Sequence, residues 1–85
     1  MKLITTKTFR KSLKKCSKKV LNKAFERLEI LRTDPFNKQL RRHKLKGESK
    51  YLESIDVTGD VRIIFHPKTM EILEILDIGT HSQLY

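Results

Sequence analysis

Apolar residues recur every three or four positions through the first third of the chain, at Phe9, Leu13, Cys16, Val20, Ala24, Leu28 and Leu31, with lysines between them. That period draws one apolar stripe along a helix. Thr5 and Thr6 stand before it with hydroxyls suited to an N-cap, although Phe9 occupies the place where a capping box carries Glu or Gln. Ser17 offers a second cap inside the stripe, so the pattern predicts a helical hairpin or a bent pair over about residues 7–33. Pro35 in "TDPF" pushes Asp34 out of the helical region and ends the run.

Around this pair the period changes to two. "KLIT" near the start is a short strand candidate. After a polar, basic stretch, "NKQLRRHKLKGESK", which reads as a loop entering a strand near Leu45, three further candidates follow. "KYLESIDV" alternates, with Tyr51, Ile55 and Val57 on one face. "DVRIIFH" is rich in β-branched residues. "MEILEILDI" puts Met70, Ile72, Leu76 and Ile78 on one face and Leu73 and Ile75 on the other. A helix also fits that last run, but the short turn before it and its β-branched neighbour favour a strand. "TGD" and "PKT" are hairpin turns, and "THSQLY" reads as a terminal turn or short helix capped by Thr80. The fold class is therefore α+β: an N-terminal strand, two helices packed on an antiparallel β-sheet, and a short C-terminal helical turn.

The 85 residues are read as one domain, 1–85, with a modest core. One cysteine, Cys16, excludes an internal disulfide and a Cys-rich zinc site. No apolar run approaches the roughly 18 residues of a membrane span, and the amino end lacks the apolar core of a signal peptide. The expectation is a cytoplasmic protein with no membrane partner.

Charge sharpens the picture. Residues 1–50 hold seventeen Lys/Arg against four Asp/Glu, a net of +13, while residues 51–85 carry a net of −4. A basic half of this strength attracts polyanions, nucleic acid foremost. A solvated lysine-rich helix face, a membrane surface and a partner helix are the alternatives that charge alone leaves open.

Three elements carry candidate chemistry. "LRRHKLKG" sets His43 among Arg41, Arg42, Lys44 and Lys46. In "GDVRIIF", Asp60 and Arg62 are two apart and therefore point to the same face of a strand. The end of the chain brings His81 and Tyr85. Hairpin pairing would gather Asp60, Arg62 and His81 at one end of the sheet. A base, an acid and a fixed cation are what metal-free cleavage of RNA requires: a ribose hydroxyl loses a proton, a leaving oxygen gains one, and the transition state carries extra negative charge. Arginine suits the phosphate oxygens, and an aromatic ring suits a base. Each residue also has a plain structural reading: a solvated basic loop for His43, a turn for Asp60, a cross-strand ion pair with Glu53, Asp56 or Glu74 for Arg62, and a decorated terminal turn for His81. Three scattered histidines show no metal-ligand spacing, and no cofactor is expected.

The combination "LRRHKLKGE…KYLESIDVTGDVRIIF…EILEILDIGTHSQLY" resembles the RelE/ParE superfamily of toxins from toxin–antitoxin modules, and within it the YafQ-like mRNA interferases. The specific pieces are "H-x-L-x-G", the strand "GD-x-R" followed by apolar residues, and the ending "G-T-H-S-x-L-Y". The resemblance implies a microbial ribonuclease fold without a metal, cleavage of messenger RNA on the ribosome, and a cognate antitoxin. By position it implies that His43 is catalytic or positions RNA, that Asp60 activates the nucleophile or arranges the site, and that His81 is the general acid. It likewise makes Tyr85 the terminal aromatic that orients RNA, and Arg62 the cation for the scissile phosphate. Lys14, Lys15, Lys18, Lys19, Arg41, Arg42, Lys44 and Lys46 are the expected RNA-docking cations.

Two positions depart from the pattern. YafQ-like toxins carry a further histidine on the strand before the aspartate, where this chain has "SIDV". The arginine often found four residues before the terminal histidine is Asp77. The rivals to an interferase are a ParE-like inhibitor of DNA gyrase and a catalytically silent module that binds RNA or antitoxin.

Overall fold

The computed structural model describes residues 1–47 and 51–84. Along the chain run β1 (Lys2–Thr5), α1 (Lys7–Lys14), α2 (Lys18–Thr33), a 3-10 turn at Lys38–Leu40, β2 (His43–Lys44), β3 (Glu53–Asp56), β4 (Val61–Pro67), β5 (Ile72–Thr80) and α3 (His81–Leu84). The strands form one sheet in the order β1-β5-β4-β3-β2. All neighbours are antiparallel except β1, which runs parallel to β5, so the sheet is mixed rather than purely antiparallel.

Both expected caps are made. Thr6 Oγ1 accepts from the Phe9 amide at 3.2 Å, and Ser17 Oγ accepts from the Val20 amide at 3.2 Å. The Thr6 hydroxyl also donates to the Ile75 carbonyl at 2.9 Å, which pins the start of α1 to β5. Asp34 leaves the helical region at the end of α2, with φ −145° and ψ 71°, as a residue before proline should.

The helical stripe meets the sheet as its period requires. Phe9, Ala24 and Leu31 are buried against Ile55, Val57, Ile63, Phe65, Leu73, Ile75 and Ile78, with Leu13, Cys16, Val20 and Leu28 packed around them. Burying each large side chain of this kind contributes roughly 1.5–3 kcal/mol.

Ile78 corrects the alternation drawn from sequence. Phe65 pairs with Ile75, but Ile64 pairs with Asp77, leaving Leu76 as an extra residue on β5. Such a bulge shifts the parity of everything beyond it. Ile78 therefore joins Leu73 and Ile75 in the core, while Ile72 and Leu76 are half-buried and Met70, outside the strand, is 93% exposed. Tyr51 also leaves its assigned face: it precedes β3 and is 70% exposed. The basic stretch is not all loop, since it forms the 3-10 turn and then β2, two residues ahead of Leu45, whose amide donates to the Leu52 carbonyl at 2.9 Å.

Candidate functional site

Residues opposite one another on neighbouring strands point to the same face of a sheet. His43 stands opposite Ser54, Ser54 opposite Ile64, and Ile64 opposite Asp77. In a neighbouring row, Asp56 stands opposite Arg62 and Arg62 opposite Gly79. Strand alternation sets both rows on the face opposite Ile55, Ile63 and Phe65, which bury themselves in the core.

His43 is exposed yet fixed. Its Nδ1 donates to the Arg41 carbonyl at 3.0 Å. A carbonyl only accepts, so the ring carries its hydrogen on Nδ1 and in the neutral form presents Nε2 to the Ser54 hydroxyl at 3.2 Å. Ser54 itself is fully buried. Arg41 sits just two residues before the ring in a left-handed conformation, φ 50° and ψ 45°. That backbone costs a non-glycine residue about 1–2 kcal/mol, and a local outlier of this kind beside a cluster of polar side chains is a mark of functional sites.

Arg62 is held rather than free. Its Nε donates to Asp56 Oδ1 at 3.1 Å, while Arg41 Nε lies 3.4 Å from Asp56 Oδ2. One carboxylate thus gathers two guanidinium groups onto the row beside His43.

The other half of the site lies where β4 begins and β5 ends. Val61 pairs with Thr80, so Asp60 just before it and His81 just after it are exposed at the same end of the sheet. Asp60 belongs to the bend at 57–60 and not to β4, so strand alternation does not carry it onto the face of Arg62. His81 opens α3. There Thr80 Oγ1 accepts from the Gln83 amide at 3.3 Å, and Gln83 Oε1 accepts from the Thr80 amide at 2.8 Å, a reciprocal capping box. Gly79 lets α3 fold back closely, since a Cβ there would come within 2.9 Å of Gln83 Oε1.

Lys14, Lys15, Lys18 and Lys19 are exposed at the corner between α1 and α2. Lys15, Cys16 and Val20 line a cleft of about 430 Å³ with Asp77, Gln83 and Leu84, so this corner adjoins the helix that begins with His81. Burial pushes the Cys16 thiol pKa up. At the far edge Arg41, Lys44 and Lys46 are exposed. Arg42 turns inward instead. Its Nε is 2.7 Å from Glu53 Oε1, its Nη1 donates to the Pro35 carbonyl at 3.2 Å, and the paired side chains are 12% and 14% exposed. Tyr85 lies outside the described residues. Among the described residues, no group of three or more His, Cys, Asp or Glu side chains could hold a metal ion, and no helix is long and apolar enough to cross a membrane.

The family of bacterial toxins of type II toxin–antitoxin systems named for YafQ matches residues 1–85. This chain belongs to the YafQ family. No curated protein matches the sequence, but solved structures do. The crystal structure of YafQ from E. coli strain BL21(DE3) superposes with a TM-score of 0.83 at 22% identity, covering 98% of this chain and 96% of that one. YafQ in the E. coli DinJ–YafQ toxin–antitoxin complex gives 0.80 at 24% identity, over 98% and 94%. The solution structure of HP0894 from Helicobacter pylori gives 0.74 at 29% identity, over 100% and 99%.

At the two positions that depart from the expected pattern, the side chains make local contacts. The strand that carries a histidine in YafQ-like toxins here carries Asp56, whose carboxylate organises Arg62 and Arg41. Asp77, in place of the arginine, accepts from the Ile78 amide at 2.8 Å and stays within β5. Ser54, which bonds His43 in the candidate site, was missed by sequence reasoning, and Asp56 entered it only as one of three possible partners for Arg62. Their signal was present in "ESIDV", where two polar residues two apart interrupt the apolar alternation on one face.

Proposed function

We propose that this YafQ-family toxin acts as an endoribonuclease that cuts messenger RNA engaged with the ribosome, and that a cognate antitoxin neutralises it. The observation that carries the reading is the register that gathers His43, Asp56 and Arg62 on one sheet face and brings Asp60 and His81 to the end of that sheet.

In the proposed reaction a base takes the proton of the ribose 2′-hydroxyl, and the oxygen attacks the adjacent phosphorus. The bond from phosphorus to the 5′-oxygen breaks, leaving a 2′,3′-cyclic phosphate. His81 gives its proton to the departing 5′-oxygen, and Arg62 offsets the charge that builds on the phosphate. Strand spacing puts about 14 Å of sheet between β2 and the end of β5. His43, tied to Ser54, is therefore assigned to holding the RNA, and Asp60, at the same end as His81, to the base. The lysines at the helical corner dock ribosomal or messenger RNA through phosphates. An antitoxin that covers such a surface would be acidic or amphipathic; the E. coli DinJ–YafQ toxin–antitoxin complex supports an antitoxin partner.

The test is expression without antitoxin, with RNA 5′ ends mapped after induction. Cuts at defined positions in translated messages, abolished together with growth arrest by His81→Ala, are the expected result. DNA breaks with intact messages would instead identify a gyrase poison. A second reading, a binding module without catalysis, draws on one observation: Arg62 is already paired with Asp56. Ribosome or RNA binding with no cleavage would establish it.

A further inference from the structure

Phe36 is 77% exposed, a large apolar ring held at the surface between Pro35 and Asn37. It is not loose. The Arg42 guanidinium lies over it at 4.4 Å from the ring centroid and also over the core ring of Phe65 at 5.1 Å. Arg42 is in turn fixed by Glu53 and by the Pro35 carbonyl. A core aromatic, a half-buried cation and a surface aromatic are therefore linked in series, and the outermost ring, 77% exposed, is left largely to solvent.

The setting says what that face would take. Phe36 borders a cleft of about 450 Å³ lined also by Lys38, Arg41, Arg42, His43 and Lys44. Glu53, the acid in that lining, is matched by Arg42, which leaves the rim positive. Flat aromatic faces ringed by cations bind the bases of single-stranded nucleic acid by stacking, with phosphates on the cations. An acidic protein segment would meet the same charges but has no need of a flat ring.

We infer that the Phe36–Arg42 pair is a stacking platform for one unpaired RNA base, placed so that the strand continues past His43 towards Arg62. The inference rests on the proposed ribonuclease reading and adds to it a base contact that fixes where the message lies. Because the contact uses a π-face and not a base edge, it is tolerant of sequence.

The chain contains no tryptophan, so Phe36→Trp installs a single emitter at the platform. Quenching of its fluorescence by a short single-stranded RNA, and none by an abasic ribose-phosphate strand of equal length, is the expected result. Equal response to both strands would reduce the contact to charge and overturn the platform. In the otherwise native chain, Phe36→Leu keeps apolar bulk without the ring and should weaken binding of that RNA about 5- to 150-fold. It should leave binding of the antitoxin unchanged. Unchanged RNA affinity with weakened antitoxin binding would assign the ring to the protein partner and sink the inference. Message cleavage by the wild type is scored separately, so that loss of the platform and loss of the ribonuclease reading give different results.

Discussion

Asp56 and Arg62 face each other across β3 and β4 with Oδ1 and Nε 3.1 Å apart, and the second oxygen of Asp56 reaches Arg41. The pair is partly buried, so it adds modestly to stability, and it engages two cations that the proposed RNA contact would use. Asp56→Asn removes the charge with little change in shape. Stability should fall by about 1 kcal/mol, a loss of roughly 4–8 °C in melting temperature for a domain this small. Affinity for single-stranded RNA should rise several-fold as both guanidinium groups become available. Thermal melts and filter binding check the two arms, and weaker RNA binding would contradict the arrangement.

Gly79 is where the end of β5 touches α3. In Gly79→Ala the new methyl would press on Gln83 Oε1, which is already engaged with the Thr80 amide, and on Gln83 Cβ at 3.2 Å. The capping box must open or α3 must shift, at a cost of roughly 1–3 kcal/mol. The substitution should abolish growth arrest while the purified protein still melts cooperatively. Full toxicity in this variant would mean that the position of His81 does not depend on α3.

Lys18 and Lys19 occupy the first turn of α2, where no acidic residue stands and where the helix dipole favours anions. Helix stability and the proposed RNA docking therefore pull in opposite directions. Replacing both by glutamate should stabilise the protein by about 0.3–1 kcal/mol per site. It should also weaken RNA binding by roughly tenfold or more and flatten the salt dependence of what remains. Denaturant titration paired with binding at several salt concentrations reads both effects. Stability and affinity moving in the same direction would count against the assignment.

Cys16 gives a dependence on pH. Burial raises its thiol pKa in the folded chain, so between the unfolded value, about 8.5, and the higher folded one the native state binds more protons. Stability then falls as pH rises through that window and is unaffected below it. The stability gap between wild type and Cys16→Ala should shift against the wild type on going from about pH 7 to about pH 9.5. Alkylation of the native thiol should be slow until denaturant is added. Rapid alkylation of the native protein near neutral pH would refute the raised pKa.

What could be read from sequence was what is decided locally. An N-cap hydroxyl needs only the amide three residues on, at the start of the periodic stripe, so Thr6 and Ser17 were legible. The face of Ile78 was not, because the bulge at Leu76 is set by pairing with β4 and leaves no mark on the residues around it. Arg41 and Arg42 show the limit most clearly. They are adjacent and chemically identical, yet one is 78% exposed at the site and the other is sealed against Glu53. The choice is made by a left-handed backbone turn and by partners on other elements, neither of which a reading along the chain can weigh. Hairpin logic set Asp60, Arg62 and His81 toward one sheet end, and the pairing of Val61 with Thr80 and Arg62 with Gly79 puts their backbone there, whereas Ser54 and Asp56 needed the register.

The parallel pairing of β1 with β5 joins segments about 70 positions apart, and the Thr6 hydroxyl bridges the same gap. β1 thus waits for a partner that emerges about 70 residues later, and contacts of such long sequence separation form slowly. A nascent chain carries its basic helices well before the sheet edge that completes the domain can close.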